Sequence, residues 1–189
     1  KDRSEIASRE LHKEYGYTSL REGYANTTLM AIAPTKSSSF IHGAVSMGIE
    51  PIKSNYFIKD LAKSKTVYKN PFLEDELEKY GLNNTKTWQS ILKKDGSVQH
   101  LDFPTKLVFK SFVEISPKEI VLQAAQRQKY IDQSQSLNLM IDPSVSAKDI
   151  NKLYMYAWEE GVKTLYYQFS KSSAQDFARN ILECSSCEG

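Results

Sequence analysis

A short apolar run, a helix with marked ends and a second apolar run follow one another between residues 137 and 167. The first run, Leu137-Asn-Leu-Met-Ile141, has the length of a strand. Ser146, with Asp149 three residues later, caps a helix that ends at Gly161. The apolar stripe of that helix is Ile150, Leu153, Tyr154, Ala157 and Trp158. The second run predicts a short buried strand, with the members Val162, Leu165, Tyr166 and Tyr167.

The same order of elements occurs earlier in the chain. Residues 28–33 form a near-continuous apolar run that ends at Pro34, as is typical of a strand buried on both faces. A helical pattern follows directly and ends near Gly48; its apolar members are Phe40, Ile41, Ala44 and Val45. Strands that are joined through helices pair in parallel. The chain therefore predicts an α/β fold.

Further elements are indicated by their ends. A polar helix that reaches Tyr15 stops at Gly16, and a capping box at Ser116-Pro-Lys-Glu119 begins another helix. Residues 54–58 predict a short strand. Between this strand and the capping box, Asn70-Pro71 begins one helix, and Asn84 or Thr85 caps the next. Residues 70–110 are therefore predicted to form a small helical excursion, with mostly polar faces and no catalytic signal.

The composition indicates a class of protein but does not indicate a function. A chain of 189 residues predicts one domain with a real core, and 40% hydrophobic with 25% charged residues is ordinary for a globular protein. The net charge of +2 argues neither for nor against nucleic acid. No apolar run is long enough to span a bilayer, so we expect a cytoplasmic protein. The chain opens with Lys1 rather than Met, which suggests a piece of something longer.

The segment Pro34-Thr-Lys-Ser-Ser-Ser39 joins the first apolar run to the helix after it. The first turn of a helix has unpaired backbone N–H groups and the positive end of the dipole, and hydroxyl groups add donors. Lys36 adds a positive charge. The segment is therefore a candidate anion site, although serines also cap helices without binding anything. The glycine-rich pattern of P-loop proteins is absent.

Two further features carry chemistry. Tyr166 and Tyr167 are adjacent, and neighbours on a strand point to opposite faces; the alternative is a pair of core or interface aromatics. Cys184 and Cys187, the only cysteines, form a Cys-x-x-Cys in the last six residues. Such a pair on a soft tail can carry out thiol–disulfide exchange, and the alternative is half of a zinc site.

An ordered set of motifs resembles the C-terminal part of the large subunit of class I ribonucleoside-diphosphate reductase. The motifs are Asn26-Thr-Thr-Leu with Pro34-x-x-Ser-Ser-Ser, Gly48-Ile-Glu-Pro51, Arg127-Gln-x-x-Ile-Asp-Gln-Ser-x-Ser136, Gly161-Val-Lys-Thr-Leu-Tyr-Tyr-Gln168, and the two-cysteine C-terminus. The resemblance covers roughly residues 20–170 and is weakest at 53–110. It implies the last part of a ten-stranded α/β barrel in residues 1–169, followed by a flexible redox-active tail in residues 170–189.

The resemblance also implies a role for each candidate residue. Tyr166 and Tyr167 match a pair that relays a radical from the small subunit to the active-site cysteine, with Tyr167 toward the subunit interface and Tyr166 toward the substrate. Cys184 and Cys187 match tail thiols that reduce the active-site disulfide and are then reduced by thioredoxin or glutaredoxin. The loop that holds the substrate diphosphate corresponds to Thr35, Lys36, Ser37 and Ser38.

The departures from the family's pattern limit what the chain does alone. The radical-bearing cysteine, its disulfide partner and the catalytic carboxylate of the family lie upstream of the matched region. Lys36 stands where many members have an acidic residue, and the tail cysteines are closer together than in many relatives. We therefore expect a need for an N-terminal part of the large subunit. The metal and stable radical would belong to the small subunit, and no cofactor is expected on this chain.

Three hypotheses follow from these features. The first is one part of a radical reductase, produced as a fragment or by a split gene, that completes a barrel with a separate N-terminal piece. The second is a non-catalytic module that binds phosphate-containing ligands or a partner. The third is a small thiol-redox protein that uses Cys184 and Cys187 alone. Retention of both tyrosines and both cysteines favours the first.

Overall fold

The fold is described from a computed structural model, over residues 1–43, 46–61 and 64–170. The elements, in chain order, are α1 Asp2–Tyr15, α2 Lys36–Ile41, β1 Tyr56–Leu61, β2 Ser64–Lys69, α3 Pro71–Lys79, α4 Thr85–Lys93, 3-10 turns at Lys106–Phe109 and Phe112–Glu114, α5 Pro117–Gln128, β3 Leu139–Met140, α6 Ala147–Glu159 and β4 Gln168–Phe169.

Two compact units divide the chain, where the sequence predicted one domain. The first unit is Lys1–Ala33 together with the chain from Pro117 onward, and the second unit is Pro34–Ser116. The second unit is continuous in sequence, whereas the first is assembled from two distant segments. The predicted boundary between a barrel portion and a tail at residue 169 stays a prediction, because residues 171–189 lie outside the described part.

Parallel pairing organises the first unit. β3 and β4 are parallel, with Leu139 opposite Gln168 and Met140 opposite Phe169. On the other side of the same central segment, Ile32 forms a parallel bridge with Gln135. Residues 28–33, 133–141 and 166–169 therefore lie side by side, with helices in the intervening chain. This arrangement agrees with the predicted α/β class.

Residues 133–141, the central one of the three parallel segments, are more buried than the two flanking segments. Leu137, Leu139 and Ile141 are buried, as the apolar run predicted. α5 contributes the residues predicted for its inner face, which are Ile120, Val121, Ala124 and Ala125, all buried. α6 begins at its predicted cap, because the Ser146 side chain accepts the Asp149 amide, and Gly161 follows its end with a left-handed φ of 80°. The termini of α6 are therefore set by local sequence.

The flanking segment 28–33 differs from its prediction. It is not buried on both faces, since Ala31 and Ala33 are exposed and Ile32 is half-buried. Three backbone bonds join Met30 and Ile32 to residues 133–136, and the Asp132 carboxylate adds two more by accepting the Leu29 amide at 3.0 Å and the Met30 amide at 2.7 Å. The apolar run predicted a buried strand, whereas the structure has a single parallel bridge at Ile32 in a partly exposed segment.

The second unit has a core of its own. β1 and β2 form an antiparallel hairpin, and α3 and α4 begin at Asn70 and Asn84, whose side chains accept amides of their first turns. The polar excursion predicted for 70–110 encloses a closed apolar cluster that consists of Leu73, Leu77, Trp88, Ile91, Val98 and Phe103. Charged residues alternate with the apolar ones along these helices, so the sequence alone did not indicate that the segment forms a core.

A buried amide joins the hairpin to this core. The Asn55 side chain donates to the carbonyls of Gly96 and Phe109 and accepts from the Asn70 side chain, at 2.8–2.9 Å. Gly96 is required here, because a Cβ at that position would lie 1.9 Å from the Ser54 hydroxyl oxygen. Its φ of 82° is also one that other residues rarely adopt.

Within the described ranges, no helix is both long enough and apolar enough to cross a lipid bilayer.

Candidate functional site

The tyrosine pair lies in the first unit, immediately before β4. The ring centroids of Tyr166 and Tyr167 are 4.1 Å apart, with an angle of 49° between the ring planes. Both side chains are exposed, at 51% for Tyr166 and 56% for Tyr167. The pair is therefore a surface contact between two phenols.

Two predictions for this pair are wrong. The residues do not lie in a buried strand, since β4 begins only at Gln168 and both rings face solvent. Their side chains also do not point to opposite faces, because the rings contact each other. The backbone gives the reason. The Tyr166 amide donates to the Leu137 carbonyl at 2.8 Å, and the next amide, of Tyr167, donates to the Asn138 side chain at 2.9 Å.

Successive amides of a regular strand point to opposite sides, just as the side chains alternate between faces. Here two successive amides point to the same neighbouring segment. The alternation is therefore interrupted at this step, and the two rings come together. Regular pairing resumes directly afterwards, with Leu139 donating to the Tyr167 carbonyl and Ile141 to the Phe169 carbonyl.

The two phenols are also coupled electrostatically. A hydrogen bond with the Tyr167 phenol raises the pKa of Tyr166, and the charge that Tyr167 would carry raises it further. Nearby, the Gln168 side chain donates to the Tyr154 hydroxyl, and the Phe169 ring lies 6.3 Å from the Tyr167 ring. Tyr166 thus keeps its proton over the physiological range and has a direct partner for it.

The predicted anion loop lies in the second unit. The helix it begins is α2, which has only six residues and no side-chain cap bond. Thr35 adopts a left-handed conformation with φ 46° and ψ 32°, and its hydroxyl oxygen accepts the Gly48 amide at 2.8 Å. Ser38 is exposed. The side chains of Lys36 and Ser37 lie outside the described ones.

The helix predicted to continue to Gly48 is shorter than expected. α2 ends at Ile41, and a turn follows. Residues 44 and 45 lie outside the described part of the chain. The start of the helix was thus predicted from its serines, but the apolar spacing after it did not locate its end.

A cavity in the second unit was not predicted from the sequence. Its volume is about 250 Å³, and its walls include Ser39, Met47, Pro51, Ile52, Phe57 and Tyr68. Burial raises the pKa of the Tyr68 phenol. The residues come from α2, from the chain before the hairpin and from both hairpin strands. No local sequence signal marks such a site, because its walls come from segments that are separated in sequence.

Two of the predicted site residues cannot be placed. Cys184 and Cys187 lie outside the described residues. Among the residues that are described, no group of three or more histidine, cysteine, aspartate or glutamate side chains could hold a metal ion. The described part brings Tyr166 and Tyr167 together, and it places Thr35 and Ser38 in the other unit.

Comparison with known proteins identifies the class of this fold. The family model for the ribonucleotide reductase barrel domain matches residues 8–168. Among solved structures, the class Id ribonucleotide reductase alpha subunit of Actinobacillus ureae superposes with a TM-score of 0.81 and 50% identity, over 90% of this chain and 32% of that chain. The parallel segments of the first unit are therefore part of a reductase α/β barrel.

Sequence relatives agree with the structural match. The ribonucleoside-diphosphate reductase large subunit of Invertebrate iridescent virus 6 is 38% identical over 77% of this chain and 16% of its own length. The ribonucleoside-diphosphate reductase subunit alpha of Chlamydia muridarum is 35% identical over 80% of this chain and 14% of its own length. The chain belongs to the ribonucleotide reductase barrel-domain family, and it spans between a seventh and a sixth of the length of these two relatives.

Proposed function

We propose that this chain supplies the C-terminal portion of a ribonucleoside-diphosphate reductase large subunit. In this role it contributes the radical-transfer tyrosines, the substrate-phosphate loop and the tail thiols. The assembled enzyme reduces ribonucleoside diphosphates to deoxyribonucleoside diphosphates for DNA synthesis. The barrel match over residues 8–168 supports the assignment to this part of the large subunit.

The observation that carries the proposal is the contact between Tyr166 and Tyr167. Radical transfer between phenols moves an electron and a proton together, so the donor and the acceptor must lie within hydrogen-bond reach. The ring centroids are 4.1 Å apart and the two phenols share a hydrogen bond, which supports this role. Surface exposure of both rings leaves them accessible to a partner protein.

The relay then proceeds in balanced steps. The radical of the small subunit takes an electron and a proton from Tyr167, which becomes a phenoxyl radical. That radical takes an electron and a proton from Tyr166. Tyr166 is finally restored by a cysteine of the N-terminal part, whose thiyl radical begins the substrate chemistry.

The substrate loop is proposed at Thr35, Lys36, Ser37 and Ser38. A helix start after an extended segment provides free amides, and a diphosphate is a ligand of the matching charge. The bond from the Gly48 amide to the Thr35 hydroxyl oxygen supports this role, since it leaves the Thr35 hydroxyl proton free to donate to an anion. Lys36 adds a positive charge to the loop.

The tail thiols complete the proposed turnover. Substrate reduction leaves a disulfide in the active site of the N-terminal part. One thiolate of the pair Cys184 and Cys187 attacks that disulfide, and the second resolves the mixed disulfide. Thioredoxin or glutaredoxin then reduces the tail pair. The required partners are therefore the N-terminal part, the small subunit with its metal and radical, and a thiol reductant.

Reconstituted turnover tests the proposal. The full chain is mixed with a candidate N-terminal part and the radical-bearing small subunit, and deoxynucleoside diphosphate formation is measured. We expect no activity from the chain alone and activity from the complete mixture. Tyr166→Phe and Tyr167→Phe should each abolish turnover, because phenylalanine cannot exchange a hydroxyl proton. Tyr130→Phe is the matched control at another exposed tyrosine of the same unit.

The outcomes separate the proposal from its alternative. Turnover that survives Tyr166→Phe or Tyr167→Phe would overturn the relay. Absence of turnover in a properly assembled complex would favour a non-catalytic module that binds phosphate ligands or a partner.

A further inference from the structure

Asn138 is a buried polar residue beside the exposed tyrosine pair. It is 7% exposed and lies between Leu137 and Leu139, which are both fully buried. An amide in such a position is stable only when its polar atoms are hydrogen-bonded. Its side-chain oxygen accepts the backbone amide of Tyr167 at 2.9 Å. A rigid, covered residue thus holds the backbone of an exposed one.

The bond replaces what a regular parallel ladder would provide at this point. In a parallel pair, alternate amides of one strand point to its neighbour and the others point away. Because the Tyr167 carbonyl accepts from the Leu139 amide, a regular ladder would have the Tyr167 amide donate to the Leu137 carbonyl, but here that carbonyl accepts the Tyr166 amide. The Asn138 side-chain oxygen supplies the acceptor that the Tyr167 amide would otherwise lack. This departure brings the two rings to a centroid distance of 4.1 Å.

We propose that Asn138 is a positioning residue, whose side-chain oxygen sets the contact between Tyr166 and Tyr167 by holding the Tyr167 amide. The bond to Asn138 and the contact between the two rings are features of the structure, and their consequence for radical transfer rests on the proposed function. Without the acceptor, the segment relaxes toward regular alternation and the rings separate to opposite faces. Transfer between the phenols then loses its hydrogen-bonded pathway.

The pKa of Tyr166 gives a second sign of the same contact. It is raised mainly by the hydrogen bond with the Tyr167 phenol. Separation of the rings removes this bond, so the pKa of Tyr166 should fall toward its ordinary value. This shift is independent of any partner protein, and it can be followed in the full chain.

The test compares Asn138→Leu with Thr164→Val. Leucine keeps the branching and the number of heavy atoms of Asn138 and removes the acceptor. The control removes a different bond of the same segment, from the Thr164 hydroxyl to the Gln135 carbonyl at 3.0 Å, and valine keeps the shape. In the full chain with isotope-labelled tyrosine, the nuclear Overhauser effect between the rings of Tyr166 and Tyr167 is measured. We expect it to be lost in Asn138→Leu and kept in Thr164→Val.

Turnover in the reconstituted complex is the second readout. A misplacement of about 1 Å can cost roughly 10²-fold in rate, so we expect a fall in kcat of about that size in Asn138→Leu. The KM for the nucleotide and the affinity for the small subunit should be unchanged, because the substitution lies behind the rings rather than in a binding surface. Thr164→Val should keep the kcat of the unsubstituted chain.

The outcomes separate the two proposals. An unchanged ring-to-ring signal in Asn138→Leu overturns the positioning role, whatever the turnover. A lost signal with unchanged turnover confirms the positioning and overturns the relay. Hydrogen exchange at the Tyr167 amide of the unsubstituted chain needs no variant. That amide should be protected, and exchange at the rate of an open chain would overturn the proposal even if Asn138→Leu fails to fold.

Discussion

The two units of this chain bury their apolar residues in different ways. The second unit closes a cluster between two short helices and the chain that follows them, all within about thirty residues of one another. The first unit is a layer of three parallel segments, in which the central segment is covered and the flanking segments are open.

The two units differ in how they satisfy their backbone hydrogen bonds. A helical cluster satisfies its backbone hydrogen bonds locally, so it can close over a short stretch of chain. A parallel segment needs a neighbour on each side, and three segments of a barrel leave unpaired edges. Among the described residues, the first unit therefore has open segment edges, and the chain covers 32% of the matching reductase alpha subunit.

The largest loss of stability is expected for a core substitution in the second unit. Leu77 is fully buried in its cluster, so Leu77→Ala removes apolar contacts and leaves a cavity. We expect a loss of about 2–5 kcal/mol in the free energy of unfolding of that unit. Hydrogen exchange followed by mass spectrometry should show faster exchange in α3 and α4.

Phe72 provides the control for this prediction. It lies on the same helix and is 57% exposed, so Phe72→Ala should cost no more than about 0.5 kcal/mol. An equal rise in exchange in α5 and α6 of the first unit would contradict the comparison, because the two units would then unfold as one.

A smaller effect is expected in the first unit at Asp132. Burial opposes ionisation of this carboxyl, but bonds from the Met30 and Leu29 amides lower its pKa below the ordinary value of 3.8. The stabilisation is therefore complete above the unfolded pKa and is lost as the pH falls through the folded pKa. Asp132→Asn should cost about 1–2 kcal/mol at neutral pH and reduce the loss of stability on acidification.

Chemical denaturation between neutral and acidic pH measures this effect. Asp149→Asn makes the same charge change on the exposed first turn of α6, where the bond from Lys152 contributes first to a lowered pKa. It should change the stability of the same unit by less than Asp132→Asn. If the two variants have equal effects, the Asp132 carboxylate does not hold residues 28–33.

The smallest effect is expected at an exposed ion pair of the first unit. The Lys152 ammonium lies 2.8 Å from the Asp149 carboxylate, and both side chains are largely exposed. Exposed pairs at this spacing contribute little to stability, because solvent screens them. Lys152→Ala should therefore leave the denaturation midpoint almost unchanged, and a shift as large as that of Asp132→Asn would contradict this expectation.

Local sequence predicted the ends of elements well. Gly16 ends α1 in a left-handed conformation, Asn70 with Pro71 begins α3, and Ser146 caps α6. These features depend on a few neighbouring residues, so they can be predicted without knowledge of the rest of the fold. The buried run at residues 137–141 was also predicted, because a strand covered on both faces has few polar positions.

The candidate site was predicted less completely. The sequence identified Tyr166 and Tyr167 but placed them on opposite faces of a strand, since alternation is the rule for a regular backbone. The alternation is interrupted where the Leu137 carbonyl accepts the Tyr166 amide and the Asn138 side chain accepts the Tyr167 amide, almost thirty residues away in sequence. No local pattern gives the position of such an acceptor.

The sequence by itself determined the family, the α/β class and most helix ends, because these depend on motifs, hydrophobic period and capping chemistry. The tertiary structure decided the closed core of the second unit, its cavity of about 250 Å³ and the contact between the two tyrosine rings. The physical reason is the same in each case. Such features depend on hydrogen bonds and packing between residues distant in sequence, and the preferences of neighbouring residues do not specify these contacts.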